Sequence, residues 1–375
     1  MIDEIIGGSD VADVLQKALD GKRLDVDDGV RLFGSNDVHA IGAAANEIRR
    51  RINGDRTYYI VNRHINYTDI CKNRCKFCAY SRSEGDDGAY AMSVSEVLER
   101  AQEYYEQIRF TELHIVGGLH PSLPFSYYTD MLGTLKSHFP EVHIQAFTAV
   151  EIAHMAEISE LSVRDVLIAL KEAGLGSIPG GGAEIFSPRV RGIVCPEKMP
   201  AEKWLSVMRQ AHSLGIKSNS TMLYGHVETD RERVEHMLTL RDLQDETGGF
   251  MTFIPLRYHT ANTRLGEVAK PMSAQDHLKL YAVSRLMIDN IAHIKVFWIM
   301  LGLKLAQVAL SYGSDDIDGT VIEEKITHRA GATTPQAMTV AKLKAMIEET
   351  GTTPVERDTV YNEVVRDETG MFAIS

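Results

Sequence analysis

The chain contains very little cysteine and no long apolar run. Only four of its 375 residues are cysteine, too few for the disulfide framework of a secreted protein. The most apolar stretch, VFWIMLGL, has eight residues, whereas a membrane-spanning helix needs about 20. The N-terminal residues MIDEIIGGSD lack the basic and apolar regions of a secretory signal. We therefore expect a cytoplasmic protein without a membrane span.

Positive charge is also scarce. Lys and Arg number 40 against 52 Asp and Glu, which gives a formal net charge of -12 at pH 7. This balance argues against a broad surface for nucleic acid or anionic lipid. It leaves room for an anionic small molecule bound by a few local cations. The composition, 44% hydrophobic and 25% charged, is typical of a globular enzyme.

Short apolar segments alternate with amphipathic helical segments from about Tyr58 onward. The predicted strands are YYIVN, ELHIVGG, VHIQAFT, GLGSIPG, SNSTMLYG, GFMTFIPL and IKVFWIM. A hydroxyl three residues before a carboxylate predicts the start of a helix, as in SVSE, SVRD, TDRE and SAQD. Seven strands that alternate with helices predict right-handed βαβ units and a parallel sheet.

Both a barrel and a doubly wound sheet fit this number of strands. The barrel is favoured because polar residues and glycines recur where predicted strands end, and in a barrel these ends meet at one mouth: Gly117, Gly118, Thr148, Asn219, Tyr224 to His226 and Arg257. We predict an α/β fold with a TIM-type barrel core over residues 57–320. A helical lead-in over 1–56 precedes this core, and a C-terminal helical extension over 321–375 is expected to pack on it.

Three of the four cysteines lie within eight residues, directly after the first predicted strand and hence at the barrel mouth. The spacing of Cys71, Cys75 and Cys78 is CxxxCxxC, and buried structural thiols would not explain such a concentration. One alternative is a zinc site, but zinc usually takes four ligands, and the fourth would be distant: Cys195, His64 or His114. The favoured alternative is an iron–sulfur cluster with three thiolates and one iron open to a non-protein ligand.

The pattern CxxxCxFC followed by an aromatic residue resembles the signature of the radical S-adenosylmethionine (SAM) superfamily. The resemblance implies a 4Fe–4S cluster on the three cysteines, with SAM chelating the fourth iron and Phe77 and Tyr80 beside the cofactor. It also implies that an electron from the cluster cleaves SAM to methionine and a 5′-deoxyadenosyl radical. The protein would then bind and orient the reactants and exclude water.

The same resemblance suggests further cofactor contacts. In VGGLHP, Gly117 and Gly118 would offer a backbone edge to the amino group of SAM, unless they form only an ordinary turn. After the three glycines of SIPGGGAEIF, Glu184 would bind the adenosyl moiety and Arg191 a carboxylate. A flexible loop alone would also explain those glycines. Two polar residues at strand ends complete the expected cofactor site: Thr148 and Asn219.

Three residues are candidates for catalysis or substrate binding. His226 would act as a proton shuttle, although a histidine at a strand end often only forms hydrogen bonds. Arg257 would clamp a substrate carboxylate, with an ordinary ion pair as the alternative. His120 would make a polar contact with the substrate. The isolated Cys195 is interpreted as a buried apolar thiol.

Stretches across residues 57–365 resemble the subgroup that contains the futalosine-pathway menaquinone enzymes and the deazaflavin cofactor synthases: ELHIVGGLHP, IPGGGAEIFS, TMLYGHVET, RLMIDNIAHIK and LGLKLAQVALSYGSDDIDGTVIEEKITHRAGA. TMLYGHVET together with GTVIEEKITHRAGA is more similar to the aminofutalosine synthases than to the dehypoxanthine futalosine cyclases.

The resemblance implies that SAM is a consumed cosubstrate. Its adenosyl radical would add to the enol-ether double bond of 3-[(1-carboxyvinyl)oxy]benzoate and give 6-amino-6-deoxyfutalosine, methionine and bicarbonate in menaquinone biosynthesis. Arg257 and Arg191 would bind the dianionic substrate, and a flavodoxin or ferredoxin would supply electrons. One alternative is a cyclase or a related radical enzyme that abstracts hydrogen. An alternative of another class is a zinc-stabilised binding protein.

Overall fold

The structure, a computed structural model, describes residues 2–267 and 271–374. The strand β1 (Arg56–Ile60) leads into a seven-stranded parallel sheet whose spatial order follows the chain. The strands of this sheet are β2 (Asn62–Ile65), β3 (Glu112–Ile115), β4 (His143–Ala146), β5 (Ser177–Ile178), β6 (Lys217–Tyr224), β7 (Phe250–Arg257) and β8 (His293–Ile294). Each predicted strand overlaps an observed one.

Seventeen helices lie among the described residues. Four precede the sheet: α1 (Ile2–Gly7), α2 (Ala12–Leu19), α3 (Val26–Gly34) and α4 (Val38–Asn53). Nine are inserted between its strands: α5 (Val94–Gln102), α6 (Tyr105–Ile108), α7 (Phe125–His138), α8 (Ala149–Ser159), α9 (Val163–Glu172), α10 (Pro188–Val194), α11 (Ala201–Ser213), α12 (Asp230–Thr247) and α13 (Ala274–Met287). Four follow it: α14 (Trp298–Leu301), α15 (Leu303–Ala309), α16 (Ile326–Arg329) and α17 (Val340–Glu348).

Local chemistry sets the starts of these helices as predicted. Ser93, Thr229 and Ser273 each accept a hydrogen bond from the backbone N–H three residues ahead, and the carboxylate at that position bonds back to the cap. These reciprocal bonds satisfy N–H groups that have no partner inside the helix. Ser162 caps α9 through the N–H of Asp165.

Two later strands extend the barrel. β9 (Asp316–Gly319) and β10 (Thr353–Arg357) both pair with β1 in parallel. Parallel bridges from Lys295 to Asp316 and from Arg63 to Ile322 join the two edges of the seven-stranded sheet through the segment around β9. The predicted TIM-type barrel is therefore confirmed as a curled parallel sheet surrounded by helices, with its carboxyl strand ends at one mouth.

The C-terminal part differs from the helix-and-loop prediction. It contains α16 and α17, but also β10 and a short antiparallel hairpin of β11 (Val364–Arg366) and β12 (Phe372–Ile374). β10 is stabilised by a hydrogen-bond ladder with β1, which is nearly 300 residues away in the chain. A pairing over this distance cannot be predicted from the local sequence. The boundaries after residues 56 and 320 remain a prediction. None of the described helices is long and apolar enough to span a membrane.

Candidate active site

A cavity of about 340 Å³ lies at the carboxyl ends of the barrel strands. Its walls come from the segments that follow β2 to β5 and from the ends of β6 to β8. Eleven of the site residues predicted from the sequence line it: Cys71, Cys75, Phe77, Cys78, Tyr80, Gly117, Gly118, Thr148, Glu184, Asn219 and Arg257. The structure thus brings together most of the predicted site, and it places His120, Arg191 and His226 elsewhere.

The segment that carries the three cysteines has little regular structure and is held by distant segments. We call residues 66–82 the cysteine loop. The N–H of Lys76 donates to the carbonyl of Val194 at 2.7 Å, and the N–H of Arg74 donates to Oε2 of Glu197 at 2.6 Å. The turn after α10 therefore fixes the outer side of the loop.

The C-terminal segment fixes the other side. Arg329, in α16, donates to Oδ2 of the buried Asp69 at 2.8 Å and to the carbonyl of Tyr80 at 3.1 Å. Its guanidinium also lies 4.7 Å from the centre of the Tyr80 ring. The phenol of Tyr80 is 2.6 Å from that of Tyr90, and burial raises its pKa. Tyr80 therefore contributes to the order of the loop as well as to the cavity wall.

The donor set suits a cluster better than a single metal ion. The three thiols are free, and burial raises the pKa of Cys71 and raises that of Cys75 to about 12. Such thiols ionise only beside a strongly cationic group, which iron would provide. No three His, Cys, Asp or Glu side chains of the described residues are grouped closely enough for one metal ion. A cluster places each thiolate on a different iron, and all three cysteines line the same cavity, so the donor chemistry fits a cluster.

The segment after β3 packs directly on the cysteine loop, which explains one predicted glycine. A Cβ added at Gly118 would lie 2.8 Å from the carbonyl carbon of Ile70 and 3.0 Å from Cβ of Cys71. Real Cβ atoms essentially never approach so closely, so only glycine fits here. The N–H of neighbouring Gly117 donates to Glu151 at 3.0 Å. The backbone edge expected to meet SAM is therefore held rigidly against the cluster ligands.

Glu184 lies in the cavity wall with a partner that the sequence analysis missed. Its Oε1 is 2.5 Å from Nζ of Lys198, and its backbone has a left-handed φ of 51°. Burial alone would lower the pKa of Lys198, but its electrostatic interactions with Cys75, Glu184 and Cys195 outweigh burial and raise that pKa. The ammonium also lies 5.2 Å from the centre of the Phe77 ring. No spacing pattern in the sequence indicated Lys198.

Two predicted cofactor residues are positioned by neighbouring strands. Asn219 donates to the amide oxygen of Gln145 at 3.3 Å, across the inside of the barrel. Thr148 caps α8 and accepts the N–H of Glu151. Both side chains line the cavity, where polar atoms beside a cofactor give orientation.

The structure does not support the predicted catalytic role of His226. Its side chain is fully buried and does not line the cavity. One nitrogen, Nε2, lies 2.9 Å from the carbonyl of Leu223, and Nδ1 lies 2.9 Å from Glu228 and 2.7 Å from the N–H of Val227. Both nitrogens thus have partners at the end of β6 or in the turn that follows it.

Arg191 and His120 also lie outside the cavity lining. The buried Arg191 donates to the carbonyls of Ala183 and Met199, so it braces the loop that carries Glu184 instead of binding a carboxylate. His120 is buried, and its Nδ1 accepts the N–H of Ser122 at 3.2 Å. Their predicted contacts with cofactor and substrate stay predictions, which this packing does not favour.

Arg257 fits its predicted role better. It ends β7, lines the cavity and is half-buried. Within residues 2–267 and 271–374, its guanidinium has no hydrogen bond or ion pair. An unpaired guanidinium in a cavity is a ready binding group for a carboxylate.

The bottom of the cavity is polar, and the sequence analysis largely missed it. We call this set the barrel floor: His64, His114, Gln145, Lys295 and Asp318. His64 and His114 are register partners on β2 and β3, and their rings stack at 4.3 Å. Burial lowers the pKa of both. The sequence analysis names the two histidines only as distant zinc ligands. It does not predict their pairing, because strand register is not readable from sequence spacing.

Comparisons with known proteins agree with this geometry. Residues 65–240 match the family model of the radical SAM superfamily, and residues 247–369 match that of the CofH/MqnC C-terminal region. The chain is 47% identical over 354 residues to the aminodeoxyfutalosine synthase of Thermus thermophilus, with 94% of this chain and 95% of that protein covered.

Two further comparisons, one of sequence and one of structure, show how far the similarity extends. The 5-amino-6-(D-ribitylamino)uracil–L-tyrosine 4-hydroxyphenyl transferase of Methanopyrus kandleri is 40% identical over 346 residues, with coverages of 90% and 94%. The crystal structure of methylornithine synthase superposes with a TM-score of 0.72 and 16% identity, with coverages of 91% and 97%. At that identity, the second similarity concerns the fold alone.

Proposed function

The chain belongs to the radical SAM superfamily, and from that premise we propose that it is an aminofutalosine (aminodeoxyfutalosine) synthase. The family makes it an enzyme that transfers groups by radical chemistry. The proposed reaction joins the 5′-deoxyadenosyl group of SAM to 3-[(1-carboxyvinyl)oxy]benzoate. The products are 6-amino-6-deoxyfutalosine, methionine and bicarbonate, as a step of menaquinone biosynthesis.

The observation that carries the proposal is the sequence identity of 47%, over 94% of this chain, to a protein named for this activity. The relative named for tyrosine 4-hydroxyphenyl transfer is less similar, at 40%. A radical that adds to a double bond must be held close to its target carbon. The protein meets this requirement by positioning the two reactants. The enclosed cavity above the cysteine loop is suited to this task.

The cysteines 71, 75 and 78 would hold the 4Fe–4S cluster. When bound, cluster and SAM supply the electron and the adenosyl group. The residues that line the cavity beside the cysteines are proposed to orient SAM: Phe77, Tyr80, Gly117, Gly118, Thr148, Glu184 and Asn219. Because the cluster needs an electron, we also propose a flavodoxin or ferredoxin as the electron donor. Free cysteines are typical of a reducing compartment, so we propose a cytoplasmic location.

The opposite wall of the cavity suits an aromatic dicarboxylate. Arg257 offers an unpaired cation, and apolar side chains beside it would contact the ring and exclude water: Ile254, Leu256, Phe297 and Met300. Water exclusion protects a reactive intermediate and strengthens electrostatic contacts. We propose that Arg257 binds the carboxylate attached to the reacting double bond.

The second candidate function is a cyclase or related enzyme that abstracts hydrogen and releases 5′-deoxyadenosine. The match of residues 247–369 supports this alternative, because the matched model is named for the CofH/MqnC C-terminal region and not for aminodeoxyfutalosine synthase. The zinc-stabilised binding protein is disfavoured by the match of residues 65–240 to the radical SAM superfamily model.

Product analysis distinguishes the two enzymes. The reduced, cluster-loaded protein is incubated with SAM and the proposed substrate, and methionine, 5′-deoxyadenosine and new adenosyl-containing products are quantified by mass spectrometry. Under the proposal, methionine and the adenosyl adduct form in equal amounts. Free 5′-deoxyadenosine equal to the methionine, without an adduct, would exclude the synthase and favour the alternative.

A further inference from the structure

Lys295 is an unusual residue at the barrel floor. It follows β8, lines the cavity and has a side chain that is 8% exposed. Its one recorded partner among the described residues is Asp318, at 3.3 Å. An ammonium group has three N–H donors. A buried lysine that uses one of them, beside an open cavity, can accept a further anionic or polar partner.

The surroundings of Lys295 also suit an added anion. His64 and His114 line the same part of the cavity and stay neutral, because burial lowers the pKa of each. A neutral imidazole still offers one N–H donor. Asp318, the ion-pair partner of Lys295 at 3.3 Å, has a left-handed φ of 68°, and burial raises the pKa of its carboxyl group.

The other acidic groups near the floor have partners of their own. The carboxylate of Asp316 accepts hydrogen bonds from Arg357 and from the phenol of Tyr361. Glu112 accepts a hydrogen bond from Asn62 at 3.3 Å, and its Oε1 lies 3.8 Å from Nδ1 of His114. Of the carboxylates around the floor, Asp318 is the one with a recorded ion pair to Lys295.

We propose that Lys295, with His64 and His114, forms a subsite for the aryl carboxylate of the substrate. In this proposal Asp318 stays paired with the ammonium group of Lys295 until the aryl carboxylate binds. The inference rests on the proposed function for the identity of the aromatic acid. It adds a second cation to the substrate site, in place of Arg191. It also assigns an orientation, with the aromatic acid deep in the barrel and the double bond near the mouth.

The register of the strands supports that orientation. β7 and β8 align Phe253 with Ile294, so Lys295 is level with Ile254. Arg257 is three residues further along β7, which is about 10 Å nearer the mouth at the usual rise per residue. The reacting carbon must lie beside SAM, close to the cysteine loop. The carboxylate next to that carbon therefore meets Arg257, and the aryl carboxylate meets Lys295.

Two compounds that each resemble half of the substrate distinguish the role of Lys295 from that of Arg257. 3-Methoxybenzoate carries only the aryl carboxylate, and 2-phenoxyacrylate carries only the other one. Their dissociation constants are measured by calorimetry on the cluster-loaded protein. We expect Lys295→Met to weaken 3-methoxybenzoate roughly 10- to 100-fold, as for a lost charge-assisted hydrogen bond, and to leave 2-phenoxyacrylate nearly unchanged. Arg257→Met, the matched control, should show the reverse pattern.

Asp318→Asn gives a test of opposite sign. Removing the competing carboxylate should tighten the binding of 3-methoxybenzoate several-fold, whereas a merely structural ion pair predicts no gain. The double variant Lys295→Met/Asp318→Asn removes both charges and avoids an unpaired buried carboxylate, so it remains testable if Lys295→Met fails to fold. It should bind 3-methoxybenzoate as weakly as Lys295→Met.

The inference is overturned if wild-type protein does not bind 3-methoxybenzoate, if the variants affect both half-substrates alike, or if Asp318→Asn weakens binding. Product analysis keeps this outcome separate from the proposed function. An adenosyl adduct without the crossed pattern would leave the synthase standing and remove the subsite. The crossed pattern without an adduct would support an aryl carboxylate subsite in an enzyme with another reaction.

Discussion

The cysteine loop and the barrel floor face each other across one cavity, yet they are built in opposite ways. The loop places three cysteines within eight residues on backbone that has little regular structure. The floor assembles His64, His114, Lys295 and Asp318 from strands or strand ends far apart in the chain. The order of the loop depends on a few side-chain anchors, whereas parallel ladders determine the floor. Single substitutions should therefore disturb the loop more selectively than the floor.

Loss of a cluster ligand is expected to give the largest effect. Cys75→Ala removes one of three thiolates and should abolish both iron binding and turnover, since only two of the predicted protein ligands of the cluster would remain. Iron content and the visible spectrum after anaerobic reconstitution measure this. Cys195→Ala is the control: its thiol is buried and does not line the cavity. Loss of iron in this control would identify Cys195 as a ligand.

Substitution on the substrate side should leave the cluster intact. Arg257→Met is expected to raise the KM for the dicarboxylate roughly 10- to 100-fold, because one charge-assisted contact is lost. Iron content should stay at the wild-type level. Arg257→Lys should recover part of the affinity, since it keeps the charge without the planar fork. Equal KM values for Arg257→Met and wild type would show that this side chain is not a substrate contact.

Removal of a loop anchor should have an intermediate effect. Arg329→Met leaves the buried Asp69 with Arg82, at 3.3 Å, as its remaining cation. We expect a loss of about 1–3 kcal/mol in unfolding free energy, with faster loss of iron to a chelator. Arg209→Met is the matched control, because the exposed Arg209–Glu246 pair should contribute less than about 1 kcal/mol. Similar iron loss in both variants would argue against a specific anchor.

The smallest predicted effect is a pH dependence of the unfolding free energy, which we expect from the segment that anchors the cysteine loop and not from the barrel floor. The hydrogen bond to Glu324 raises the pKa of His328, next to Arg329, to about 9. The stabilisation from protonated His328 is therefore complete below about pH 6.5 and lost as pH rises through 9. The difference in unfolding free energy between wild type and His328→Gln should shrink over this window. A difference that stays constant would contradict the assignment. The floor histidines, already neutral, should add no dependence there.

How far the sequence predicts each region follows from this contrast. The cysteine spacing, the capping hydroxyls and the strand–helix alternation are local, so the cluster ligands, helix starts and barrel were predictable. Lys198 and Arg329 act through contacts between segments more than 100 residues from the loop, and no local pattern indicates them. Likewise, the sequence showed His226 at a strand end but not that neighbours in its own turn occupy both of its nitrogens.

The same limit explains the choice of cations for the substrate. Arg191, in α10, and Arg257, at the end of β7, both carry the charge that a carboxylate requires. Only packing distinguishes them, because Arg191 donates to two backbone carbonyls and Arg257 has no such partner within the described residues. Lys295 lay in a segment predicted as an apolar strand, so it was not considered for the site.

A labelling experiment tests the central claim most directly. SAM labelled with ¹³C at the 5′ carbon and substrate labelled with ¹³C at the methylene carbon of the enol ether are combined with the reduced, cluster-loaded protein. The account predicts a product whose two labelled carbons show one-bond ¹³C–¹³C coupling, since a bond forms between them. Label found only in free 5′-deoxyadenosine and uncoupled substrate-derived carbon would contradict it.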